Sequence, residues 1–183
     1  MRWLLASGVV LVCLFSVAVA GTDTVDDPAA WLSARGVKDP AKQLGDTCCC
    51  VEVSVGSASE HALRCSEATS IPTEGADIAV REVIRVVRAG KVVKVLEAWT
   101  ALENLDLPPR SPPALKLELA IAPSARTATI VDAGGSRNRC DELPPRTKAV
   151  TAADRVYRTW RDRICASRGT YRWGGGRFVH AAR

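Results

Sequence analysis

Seven cysteines are the residues of this chain best equipped for chemistry: Cys13, Cys48, Cys49, Cys50, Cys65, Cys140 and Cys165. Cys13 lies in an apolar stretch, Leu4 to Val17, with Arg2 before it and Ala18-Val19-Ala20 after it. A positive start, an apolar run and small residues at a cut mark a secretory signal peptide, so removal of residues 1–20 before Gly21 is expected. The run is only just long enough to span a bilayer. Ser7, Gly8 and Ser16 interrupt it and no basic stop-transfer cluster follows, which argues against an anchor. Val12 is large for the position before a lipidated cysteine, which argues against acylation of Cys13. Export with six remaining cysteines predicts three disulfides.

The spacing of the six limits their pairing. Neighbours in a strand point to opposite faces, so Cys48 and Cys50 share one face and Cys49 takes the other. A four-residue turn at 56–59 pairs Val55 with Glu60 and, five steps back, Cys50 with Cys65; a turn one residue longer brings Cys65 diagonal to Cys49. Cys65 is therefore expected to bond within the triplet, with its partner left open. A bond between sequence neighbours strains the peptide and is disfavoured. Cys140 and Cys165 can bond each other, or each can take a triplet cysteine. The second scheme uses all six without a neighbour bond, and counting favours it. A soft-metal site is the alternative chemistry, with Cys48, Cys49 and Cys50 joined by Cys65 or His61 around Cu(I) or Zn(II). The chain lacks paired Cys-x-x-Cys units, and an exported chain meets oxidising conditions.

Other catalytic patterns are thin. Ser57, Ser59, Glu60 and His61 bring hydrolase residue types close in sequence, but no Gly-x-Ser-x-Gly elbow frames them. Gly174-Gly175-Gly176-Arg177 lacks the Lys-Ser/Thr of a phosphate loop and follows a helix. The reading is non-enzymatic, with no cofactor.

Charge is the remaining feature with functional content. Gly21 to Ser136 carries 12 basic and 16 acidic residues, whereas Arg137 to Arg183 carries 12 basic against Asp141, Glu142, Asp154 and Asp162. The net +8 of that last part sits with five of the seven aromatics beyond residue 20, namely Tyr157, Trp160, Tyr171, Trp173 and Phe178. Arginine with aromatics suits an anionic envelope polymer, a glycan or nucleic acid, and Arg172, Arg177, Tyr171 and Trp173 are the candidate contacts. The competing reading makes the aromatics a small satellite core and the arginines its solvated rim. Arginine exceeds lysine 19 to 6, a bias associated with bacterial coding.

These groups must be positioned by elements the pattern makes legible. Asp27-Pro28 opens a short helix closed by Gly36, and Asp39-Pro40 opens another that ends at Gly45. Trp31 is expected to pin this arm to the body. Val51, Val53 and Val55 alternate with polar residues, predicting a hairpin over 48–65. Residues 77–103 read as a second hairpin about Ala89-Gly90. Val92, Val95, Leu96, Trp99 and Leu102 also fit a helix, but Val and Ile content favours strand. Pro108 to Pro113 reads as a stiff loop. Residues 114–132 form a third hairpin, with Leu119 opposite Ile130 and Ile121 opposite Ala128 if 123–126 is the turn. Thr151 resembles the cap of a helix over 151–167 with a Val156-Tyr157-Trp160-Ile164 stripe, and a terminal hairpin spans 170–180.

The fold expected is α+β: mainly antiparallel β-hairpins with one amphipathic helix near the C-terminus, stapled by disulfides. Residues 1–20 are the signal peptide, 21–46 an N-terminal arm with short helices, and 47–183 a single domain. The function expected is that of a bacterial protein, secreted or periplasmic, without a membrane span after cleavage, that acts by surface contact.

Overall fold

The computed structural model describes residues 23–45, 47–57, 60–73, 76–105, 114–142 and 152–181, with backbone alone at Cys48 and Ala153. The signal peptide, the 108–113 loop and Thr151 lie outside these residues. Nine strands follow one another in chain order as neighbours in one antiparallel meander. They are β1 (Thr24–Val25), β2 (Thr47–Val55), β3 (Glu60–Ser70), β4 (Asp77–Arg88), β5 (Lys91–Asn104), β6 (Leu115–Ile121), β7 (Thr127–Asp132), β8 (Gly169–Gly174) and β9 (Arg177–His180). Three helices accompany them: α1 (Pro28–Ser33), α2 (Pro40–Leu44) and α3 (Ala152–Ala166). The molecule is therefore more sheet-dominated than a set of hairpins with a late helix, because β3 pairs β4 and β7 pairs β8 across the connections. Among the described residues no helix is long and apolar enough to cross a membrane.

The local registers follow from turn length and alternation. Val55 opposes Glu60 and Cys50 opposes Cys65. Leu119 opposes Ile130 and Ile121 opposes Ala128, so the apolar side chains of β6 and β7 share a face. Residues 91–104 form a strand, and its helix-like spacing has a structural cause. The β4–β5 register slips at two bulges, leaving Thr100 and Val95 as the extra residues of β5. Both are buried. Each insertion resets the alternation, so apolar positions recur at threes and fours inside an extended chain.

Two clusters bury the two faces. On one, Trp31, Leu32, Val37 and Leu44 of the N-terminal arm cover Cys50, Leu63 and Cys65. Asp27 caps α1 by accepting from the Ala30 amide at 2.8 Å, and Pro28 supplies a preset first turn. The Trp31 indole donates to Glu52 at 2.8 Å, so the tryptophan does anchor the arm to β2. On the other face Val55, Ala62, Ile84, Val86 and Leu96 meet Leu117, Leu119, Ile130, Tyr171 and Phe178, with Ile164 of α3. Fully burying each such Leu or Ile contributes about 1.5–3 kcal/mol.

This second cluster requires the C-terminal strands to fold over the N-terminal ones. The hinge is β5–β6, which among the described residues are joined at Ala101–Lys116 and Leu102–Leu115. Beyond that point the sheet splits, and the Gly56 amide donates to the Ala125 carbonyl at 2.7 Å. Trp173 packs so near the 55–60 turn that a Cβ on Gly56 would lie 2.7 Å from its ring, and Gly56 has φ of 77°. Glycine is required there for both reasons.

Candidate functional site

The cysteines form crosslinks. Cys50 bonds Cys65 at a Cα separation of 4.1 Å, directly across the β2–β3 ladder. Cys140 bonds Cys165 at 5.5 Å, tying the short 3-10 turn Cys140–Glu142 to the end of α3. Cys49 is also disulfide-bonded, and the Cys48 side chain lies outside the described residues. The scheme in which Cys140 and Cys165 each take a triplet cysteine is thus corrected. The chain returns after β7 so that the turn at 140 reaches the helix end, and the two cysteines meet each other first. With Cys49, Cys50 and Cys65 oxidised, the soft-metal alternative lacks three of its thiolates.

His61 lies on the same face as Glu52, and its Nδ1 sits 2.6 Å from the Glu52 carboxylate. Glu52 also accepts from Trp31 and from Arg35 at 3.4 Å. The Trp31 hydrogen bond, helped by His61 and Arg35, holds the Glu52 carboxyl below the ordinary carboxylate value against a partial desolvation penalty. Ser57 is exposed in the hairpin turn and Ser59 lies outside the described residues. The imidazole therefore serves the seat of the N-terminal arm.

The basic C-terminal part resolves into separate environments. Arg168 is neutralised by Asp141 at 2.6 Å and Asp132 at 3.2 Å. Arg161 is buried and donates to the Arg139 carbonyl at 3.1 Å. Arg163 lies 4.8 Å from the Trp160 ring centre. Arg172 and Arg177, like Arg137, Arg139 and Arg155, are exposed, and neither the Arg172 nor the Arg177 side chain has an ion pair or hydrogen bond among the described residues. The register accounts for this. Thr127, Arg172 and Val179 form one row across β7, β8 and β9, and Gly174 opposes Arg177, so both arginines occupy one face of the hairpin. As diagonal neighbours they stand about 7–8 Å apart. Val131 and Val179, the exposed valines of these strands at 53% and 48%, share that outer face.

The aromatic candidates take the opposite face. Tyr171 is buried, its hydroxyl donates to the Ser167 carbonyl at 2.7 Å, and burial pushes that hydroxyl above the usual phenol range. Trp173 packs on the core and meets Phe178 edge-on at 5.1 Å. Tyr171 and Trp173 therefore support the strand while Arg172 and Arg177 face outward.

No family model, curated protein or solved structure matches this chain.

Several carboxylates of the acidic body have cationic partners within it. Glu60 pairs with Arg88, Glu82 with Arg64, Glu67 with Arg81 and Arg85, and Glu97 with Arg81 and Lys94. The sequence reading did not anticipate a second aromatic group. Trp99 of β5 meets Trp160 of α3 edge-on at 4.7 Å, with Arg81 5.5 Å from the Trp99 ring and Arg163 over Trp160. The Trp99 amide donates to the Ser167 hydroxyl at 3.1 Å, fixing the end of α3 beside β5. The available signal was the composition of the two segments, since each places a tryptophan within reach of an arginine. An open cleft of about 430 Å³ is lined by Asp77, Asn104, Arg137, Asn138 and Tyr157.

Proposed function

We propose that this is an exported, disulfide-stapled binding protein without a catalytic centre, acting in the periplasm or outside a bacterial cell. Its outer β8–β9 face engages an anionic polymer of the envelope or surroundings. The observation that carries the reading is the pair Arg172 and Arg177, exposed on one face without carboxylate partners among the described residues. Two arginines whose backbone positions are diagonal neighbours, about 7–8 Å apart, can reach successive sulfate or phosphate groups, because each guanidinium presents a planar fork of donors. Two such contacts are individually weak, and a repeating polymer raises their effect through many binding registers. The signal peptide pattern and the disulfides support placement in an oxidising compartment.

The test is retention on immobilised dextran sulfate. Wild-type protein is retained at low salt and eluted by raising it, because screening weakens exposed charge contacts. The R172S/R177S variant elutes earlier with an unchanged unfolding midpoint, whereas R155S, altering another exposed arginine, elutes near wild type. Equal retention of R172S/R177S and wild type overturns the reading.

A further inference from the structure

We propose that the outer face of β7, β8 and β9 recognises an acidic polysaccharide of the polyuronate type, a sugar chain that carries ring hydroxyls together with carboxylates. The inference rests on the reading above, that Arg172 and Arg177 engage an anionic polymer, and it names the chemistry of that polymer. Register defines the face. Thr127 stands opposite Arg172, and Thr129 opposite Thr170, across β7 and β8. Val179 of β9 extends the first row and Ala120 of β6 extends the second. The Ala181 amide donates to the Thr170 carbonyl at 2.8 Å, so Ala181 ends the second row. Alternation turns these positions outward, because Ala128, Ile130 and Tyr171 between them are buried.

The hydroxyls single out this face. Thr73, Thr100 and Thr159 direct theirs at protein oxygens. Those of Thr127, Thr129 and Thr170 have no hydrogen-bond partner among the described residues, and all three threonines are partly exposed. The sheet sets such positions about 4.8 Å apart between strands and about 6.8 Å apart along one strand. A hydroxyl both donates and accepts, as a sugar hydroxyl does, whereas a guanidinium only donates. Three hydroxyls beside two guanidiniums therefore match a chain that mixes hydroxyls with anions. The threonine methyls, Ala120, Ala181 and the exposed Val179 add small apolar contacts suited to the C–H face of a sugar ring.

Other polyanions match the face less well. Single-stranded nucleic acid binds by stacking its bases on aromatic side chains. Here Tyr171 and Phe178 are buried, and Trp173 packs on the core. Polyphosphate presents acceptors alone, so the accepting lone pairs of the threonines would go unused. A carboxylate takes both arms of an arginine fork, and the hydroxyls of the same sugar ring can exchange hydrogen bonds with the threonines.

The experiment measures binding of the purified protein to polygalacturonate, polyphosphate and an oligothymidylate at one low salt concentration. Wild type binds polygalacturonate most tightly of the three. T127V/T129V/T170V keeps the β-branched shape and removes the hydroxyls, so its affinity for polygalacturonate falls about tenfold or more as three neutral hydrogen bonds are lost. T127S/T129S/T170S keeps the hydroxyls and retains the affinity. Unfolding midpoints accompany each variant, and T129V alone gives the same comparison with a smaller loss where the triple valine variant does not fold. Equal affinity of the valine variant and wild type for polygalacturonate overturns the proposal, as does a wild type that prefers polyphosphate or the oligothymidylate. R172S/R177S separates this proposal from the reading beneath it. If that variant loses affinity for dextran sulfate while the valine variant matches wild type on polygalacturonate, the polymer chemistry alone is wrong. If it binds dextran sulfate and the other three polymers as wild type does, the reading itself fails.

Discussion

Glu52 joins three groups that are distant in sequence, accepting from Trp31 and Arg35 and contacting His61. Its folded-state pKa lies below the ordinary carboxylate value, first because of the Trp31 bond. Glu52 therefore contributes stability above the unfolded carboxylate range, and that contribution is lost as pH falls through the lowered folded value. Trp31 fluorescence followed against pH should report loosening of the arm at acid pH, and E52Q should remove that step and weaken the arm at neutral pH. An identical acid transition in E52Q would assign it to other groups. Gly56 is the second residue with a sharp outcome. G56A places a Cβ against the Trp173 ring in a backbone region disfavoured for alanine, so a loss of about 1–3 kcal/mol is expected in denaturant unfolding. W173A removes the obstruction, so the double variant should lose less than the sum of its parts.

At the scale of elements, the hairpin registers were legible because they depend on local quantities: the length of the 56–59 turn, the valine alternation of β2 and the Leu119–Ile130 match. The double bulge of β5 was less legible, since an inserted residue mimics helical spacing and the slip is set by the partner strand β4. Disulfide choice was not legible for the C-terminal pair. Whether Cys140 meets Cys165 depends on how the chain returns from β7 to α3, a non-local path that counting cannot supply. At the candidate site, alternation did separate Arg172 from Tyr171 and Trp173, but the internal pairing of the carboxylates required the fold. The Cys140–Cys165 crosslink closes a loop with a sequence separation of 25, worth about 3.5 kcal/mol in the chain-entropy model. C140S/C165S should accordingly lower the thermal midpoint by roughly 7–14 °C for a domain of this size. A change near zero would mean that packing of Ile164 and the Trp99–Trp160 contact holds α3 without it.

For the whole molecule, the net charge of +5 is a poor guide to behaviour, because part of the charge of both signs is paired within the sheet. Even the basic C-terminal part divides, with Arg168 neutralised, Arg161 buried and Arg163 on tryptophan. Arg137, Arg139 and Arg155 are exposed too, but Arg172 and Arg177 stand together on the outer face of the last hairpin, backed by aromatics on its inner face. Binding should therefore depend on particular residues more than on total charge. The most direct measurement is the dissociation constant for dextran sulfate over a series of salt concentrations, in wild type and R172S/R177S. Counterion release gives a slope of about 0.7–0.9 in log affinity against log salt for each charge contact to a polyanion. The account predicts a slope shallower by about 1.4–1.8 in the double variant, with weaker binding at low salt. Equal slopes and affinities in the two proteins would contradict it.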